Sequence, residues 1–114
     1  LFIMTIQYKS AVFNLTTTNL TTVLTVATSA VAIVKTGQTV HDTASAVDID
    51  LLVKKSGGSN VIIGHEDLNK ETVNMLKNTL NLEAGDVIKM QAGTANEITG
   101  AVSYALIDRS QQNG

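Results

Sequence analysis

Asp48 and Asp50 form the one side-chain pair whose spacing suggests chemistry, because carboxylates two residues apart on a strand leave the same face and can share a hard cation such as calcium. Calcium takes about six to eight oxygens, and no shaped loop supplies the remainder. The same two residues therefore also read as a solvent-facing acidic pair that discourages stray pairing of strand edges. His41 and His65 are the only imidazoles, and with no cysteine in the chain a zinc site would need further ligands from Asp or Glu. Both sit beside acids and turn-like polar residues, in His41-Asp42 and His65-Glu66-Asp67, and read as hydrogen-bonded surface groups. Serine and threonine hydroxyls abound, yet no Gly-x-Ser-x-Gly elbow, phosphate-binding glycine loop or paired acid and base accompanies them. Neither an enzyme nor a cofactor is expected. Asn14-Leu15-Thr16 and Asn19-Leu20-Thr21 match the glycosylation sequon, a pattern that chance produces in any Asn- and Thr-rich chain.

The elements that would hold these residues read as β. Leu80 to Ile107 gives strand, tight turn, strand, loop and strand. In Glu83-Ala84-Gly85-Asp86, Gly85 can take the positive φ of a reversal and Asp86 can bond its own backbone. Ile88 and Met90 share a face. The last strand sets Ile98, Gly100, Val102, Tyr104 and Leu106 against the smaller Thr99, Ala101, Ser103 and Ala105, with Ile107, on the other side. Earlier, Lys9, Ala11, Phe13 and Leu15 alternate with Tyr8, Ser10, Val12 and Asn14. Val23 to Ala27 makes a second strand, and Val31 to Val40 a third with a bend or bulge expected at Gly37. Val47, Ile49, Leu51 and Val53 face the core opposite Asp48, Asp50 and Lys54. Ser56-Gly57-Gly58-Ser59 then turns the chain into a fifth strand from Asn60 to Gly64.

One segment has two readings. Across 66–79, Leu68, Thr72, Met75, Leu76 and Thr79 fall on one helical face, which predicts a short helix. The alternative is a strand over Thr72 to Met75 with a turn at Asn69-Lys70, favoured by an otherwise all-β chain.

The totals bound the class. A chain of 114 residues fits a single domain, 1–114, with an N-terminal arm over 1–5 and a flexible polar tail over 110–114. Charged residues are 16% and hydrophobic ones 44%, so the surface is sparsely charged and suits permanent contacts between subunits. The net charge of −2 argues against nucleic acid, since phosphate-binding proteins show a basic face. Leu1-Phe2-Ile3-Met4 is too short and uncharged for a signal peptide, no apolar run approaches a membrane span, and the start reads either as Met4, with Leu1 to Ile3 an upstream extension, or as Leu1. No membrane partner is expected.

Several words of the sequence carry a resemblance. Val12-Phe13-Asn14-Leu15-Thr16-Thr17-Thr18-Asn19, Ala32-Ile33-Val34-Lys35, Ser45-Ala46-Val47-Asp48 and Leu80-Asn81-Leu82-Glu83-Ala84-Gly85-Asp86 lead it. With Ala92 to Asn96 and Val102-Ser103-Tyr104, the chain resembles a family of small β-sandwich virion proteins of tailed bacteriophages, including cyanobacterial and marine phages. The resemblance weakens over His65 to Leu76. It implies a structural role without catalytic residues, in a homo-oligomer bound to other virion proteins and assembled in the bacterial host cytoplasm.

Together these readings predict an all-β antiparallel sandwich of about seven or eight strands, jelly-roll or immunoglobulin-like. The expected function is a head decoration or cement protein. A neck, collar, tail or fibre accessory protein is the alternative within the virion, and a carbohydrate- or calcium-binding module using Asp48 and Asp50 is the alternative outside it. The expected contact residues are Leu1, Phe2, Ile3, Met4, Thr99, Ala101, Ser103 and Ala105.

Overall fold

Nine strands and no helix carry the chain in the computed structural model, which describes residues 2–43 and 45–112. They are β1 (Phe2–Leu15), β2 (Thr21–Thr25), β3 (Ala30–His41), β4 (Val47–Lys54), β5 (Asn60–Leu68), β6 (Glu71–Asn74), β7 (Leu80–Leu82), β8 (Val87–Ala92) and β9 (Ile98–Gln112). All pairings are antiparallel and form two sheets, ordered β1-β9-β3-β6 with β7 also on β3, and β2-β8-β4-β5. Both β6 and β7 line the same side of β3, one at Gln38 to His41 and the other at Ala32 to Val34, so together they act as one interrupted edge strand. Counted that way, the chain has the eight-strand jelly-roll pattern and not the immunoglobulin-like one.

Periodicity explains the core. Phe13, Leu15, Val34, Val102 and Ile98 from the first sheet meet Val47, Ile49, Leu51, Val53, Ile88 and Met90 from the second, all buried. Most come from alternating strands whose opposite-face neighbours are left to solvent or to other molecules, while Leu52 of β4 is buried between Leu51 and Val53 and departs from the alternation. At about 3.3 Å per residue, the 14 residues of β1 and 15 of β9 stretch the molecule to 56 × 26 × 23 Å.

The strands differ from the sequence reading over 66–79, at Gly37 and at the two termini. Of the two readings of 66–79, the short helix is absent and the strand after a turn at Asn69-Lys70 is present as β6. Leu68 ends β5, and Asn74 stops β6 by accepting hydrogen bonds at Oδ1 from the Gly37 and Leu76 backbone amides, at 2.8 and 3.1 Å. Met75 and Leu76 then enter the core from a loop, which is why the helical face looked apolar. The bulge expected at Gly37 falls instead at Lys35, between Val34 and Thr36, while Gly37 stays in register opposite Val102. Finally, the arm and tail pair with each other: Phe2 lies opposite Gln112 and Ile3 opposite Gln111, extending β1 and β9 as a ribbon.

Gly100 lies beneath the Phe13 ring, its cross-strand partner, where a Cβ would come within 2.1 Å of the Gln38 carbonyl oxygen and 2.5 Å of Phe13 Cζ. Gly100→Ala should therefore lower stability by about 3 kcal/mol, read as a reduced urea midpoint. Gly93→Ala, whose Cβ would meet nothing nearer than 3.7 Å, should leave the midpoint almost unchanged.

Asp86 is buried at the turn between β7 and β8. Its carboxylate accepts from the Glu83 amide at 2.7 Å, the Ser56 amide at 3.0 Å and the Lys55 ammonium. Burial opposes its charged form, but the Lys55 and backbone hydrogen bonds outweigh that and hold its pKa below the ordinary carboxylate value. A depressed folded pKa contributes stability above the unfolded pKa, and the contribution disappears as pH falls through the folded one. Asp86→Ala should cost about 2 kcal/mol at neutral pH by orphaning two amides. The gap from the wild type should narrow on acidification in denaturant titrations; a gap independent of pH would contradict this account.

Candidate assembly surface

Alternation along β1, β9 and β3 leaves one broad face of the larger sheet uncovered by the second sheet. Ile6, Tyr8, Ser10, Val12 and Asn14 lie opposite Ile107, Ala105, Ser103, Ala101 and Thr99 in turn. These ten residues carry no formal charge. Val31 and Ile33 of β3 continue the face beyond Ile107 and Ala105. Tyr8 is 81% exposed, Val12 80% and Ile6 56%. A sheet surface with large apolar groups this open and no charge among them is costly in water and favourable in an interface.

Of the residues expected to make contacts, Thr99 and Ser103 are exposed and Ala101 is half-buried on this face. Ala105 shares the face but is buried, which corrects its reading as open surface: its short side chain sits between the larger Tyr8 and Ile33, its partners on either side. Phe2, Ile3 and Met4 belong to β1 by backbone, with their side chains outside the described residues; Leu1 lies outside them entirely. Tyr8 and Val12 were not selected from sequence, although they alternate with Phe13 and Leu15, which are buried. At the Lys35 bulge, Tyr8, Lys9, Ser10, Lys35, Ser103 and Tyr104 line an open hollow of about 330 Å³.

The acidic pair lies elsewhere, on the outer face of the second sheet. Asp48 is opposite Asp67 and Asp50 opposite His65 in the β4–β5 ladder. His65 bridges the group, with Nδ1 at 2.6 Å from Asp50 and Nε2 at 3.7 Å from Asp67. The hydrogen bond to Asp50 raises the His65 pKa above its usual 6.5, with the neighbouring carboxylates adding to it. Asp48 is also raised, first by a shared hydrogen bond with Asp67 and then by that carboxylate's charge. Among the described residues no group of three or more His, Cys, Asp or Glu side chains is arranged to hold a metal ion. His41, read as a surface group, is buried at the end of β3, its ring nitrogens facing the carbonyl oxygens of Glu97 and Ser45. It fastens two loops.

No family model matches the chain, and no curated protein does. Among solved structures, the fold is similar to a protein of Bacillus endospore appendages, described as a family of disulfide-linked pili. That match has a TM-score of 0.54 and 11% identity and covers 97% of this chain and 92% of the other. At that identity the likeness is one of fold. Lower similarities reach Eiger TNF from S. frugiperda, with TM-score 0.41, 9% identity and 94% and 96% coverage. Infectious bursal disease virus Gx strain follows with TM-score 0.40, 8% identity, 97% of this chain and 34% of the other.

A raised folded pKa places the His65 contribution to stability below its unfolded pKa, to be lost as pH rises through the folded one. The His65 ring should titrate above 6.5 by NMR, and Asp50→Asn should bring it back toward that value. Titration at or below 6.5 in the wild type would refute the bridge.

Proposed function

We propose that this chain is a structural subunit that builds a polymeric assembly by surface complementarity, and that the outer face centred on Tyr8, Val12, Ala101 and Ser103 is where a neighbouring subunit sits. One observation carries the reading: ten facing residues of β1 and β9 without a formal charge, three of them large, apolar and more than half exposed. An isolated domain gains nothing from leaving such a face in water, whereas a symmetric array buries it in every copy.

The setting we propose is a bacteriophage virion, with the protein acting as a head decoration or cement protein that spans capsid subunits and stabilises the shell. The sequence resemblance supports this, as does a fold shared with a pilus protein, which also works as one subunit among many. A neck, collar or tail position is the second reading, and copy number in purified particles separates the two: capsid-scale abundance means decoration, a single ring's worth means neck or tail. The role needs no catalysis. These residues include no cysteine, so the proposed contacts are non-covalent.

The wild type at micromolar concentration should exceed the 12.1 kDa monomer mass in light scattering. Tyr8→Asp combined with Val12→Asp should at least halve the assembly mass while leaving the β circular dichroism signal unchanged. A wild-type monomer, or a variant of unaltered mass, would overturn the proposal.

A further inference from the structure

β5 closes one edge of the four-stranded sheet and pairs only with β4. On this edge Val61 and Ile62 are each 57% exposed and Ile63 is 44% exposed. Consecutive strand residues point to opposite faces, so apolar surface is presented on both sides of the same edge. Natural edges of this length are usually blunted by lysine, proline, other charges or bulges; Asn60–Leu68 has neither lysine nor proline, and its charged residues, His65, Glu66 and Asp67, lie beyond the apolar triplet. Its one irregularity is a bulge at Ile63, where the register shifts between Leu51 and Leu52.

The charges along the hairpin are polarised. Lys54 lies opposite Asn60 at the turn end, where Lys55 is already held by Glu83 and Asp86, whereas Asp67 of β5 lies beside Asp48 and Asp50 at the far end, with His65 bridging Asp50 and Asp67, and Glu66 paired with Lys77. A second β5 laid antiparallel and centred near Ile62 would bring Lys54 of each copy, one strand in from the joint, toward the Asp67, Asp48 and Asp50 end of the other, at both ends at once. The same operation puts the apolar triplets together in the middle. Self-pairing of β1, the other long edge, is disfavoured by the same reasoning. Lys9 is the sole charged residue between Phe2 and Leu15, so an antiparallel pair centred there sets lysine toward lysine. The β2 edge is a five-residue strand without charge and offers no such match.

We infer that β5 is a second self-association site, at which two copies pair antiparallel about a two-fold axis and fuse their four-stranded sheets into one. This rests on the reading of the chain as an assembling subunit, but it uses an edge distinct from the outer face of the larger sheet. The occupant is another copy of this chain, chosen by charge complementarity that a neutral or basic strand would not supply.

The test is made in the Tyr8→Asp, Val12→Asp background, where the outer face is disabled, so that the two surfaces are read separately. Sedimentation of that chain should show a dimer, twice the 12.1 kDa monomer. Adding Ile62→Lys should raise the dimer dissociation constant about 100-fold without changing the folded signal. Lys54→Glu alone and Asp67→Lys alone should each weaken the dimer about 10-fold, and the two together should restore it, because the reversed charges complement each other again. A monomer in the starting background, an Ile62→Lys chain that still dimerises, or a double reversal no tighter than the singles would each overturn the β5 pairing. None of these results bears on whether the outer face binds, which the Tyr8 and Val12 changes in the otherwise wild-type chain decide.

Discussion

The Asp86 carboxylate is held out of water by three donors that come from two different places in the chain, and the geometry at that end of the sandwich follows from satisfying it. The Glu83 amide belongs to its own turn, while the Ser56 amide and Lys55 belong to the turn between β4 and β5. Around it, the Gly85 amide donates to the Val26 carbonyl and the Val26 amide to the Asp86 carbonyl, each at 2.9 Å, which draws in the end of β2. Because β7 lies in one sheet and β8 in the other, this turn fixes how the sheets meet. A buried carboxylate that lost these partners would cost more than the contacts themselves contribute, so the arrangement is held by the penalty for leaving it.

A second constraint acts within the larger sheet. With Gly100 lacking a side chain, the edge of the Phe13 ring at Cζ and Cε2 takes the space a side chain would fill, and the Gln38 carbonyl approaches from the other neighbouring strand. This anchors the register of β1, β9 and β3 together, and a register shift of one residue would exchange every inward side chain for an outward one. The exposed positions of Tyr8, Val12 and Ile6 are therefore consequences of the core. They cannot turn inward while Phe13, Val102 and Tyr104 occupy it.

Local periodicity made most of this legible from sequence. The inward sets Val47-Ile49-Leu51-Val53 and Ile98-Val102-Tyr104 are where alternation put them, and Gly85 takes the positive φ, 84°, that its turn required. What sequence did not show depends on contacts distant along the chain. The Asp86 bond to its own turn was readable, but its bonds to Ser56 and Lys55 span about 30 residues. His41 looked like a loop residue because its burial comes from Glu97 and Ser45, which are brought to it by the fold. The 66–79 segment was ambiguous because Leu68, Met75 and Leu76 are buried under either reading, so hydrophobicity alone could not separate strand and loop from helix. Ala105 was misread for the same reason: its small size says nothing of the larger neighbours that shade it.

The site follows the same division. A face without charge could be found by alternation, but its extent requires knowing that β9 lies between β1 and β3, which is topology. Once that order is set, the outer face and the β5 edge belong to different sheets. An interface on each, if both are self-complementary, cannot share one two-fold axis. Two separate two-folds generate an assembly larger than a pair, closed and dihedral where the axes intersect at a closing angle and extended where they do not. The pilus protein that shares the fold is described as linked by disulfides, a route closed to these residues, which contain no cysteine. Buried apolar area and strand pairing are the contacts that the outer face and the β5 edge offer to such an assembly, and a chain with only 16% charged residues leaves a surface suited to them.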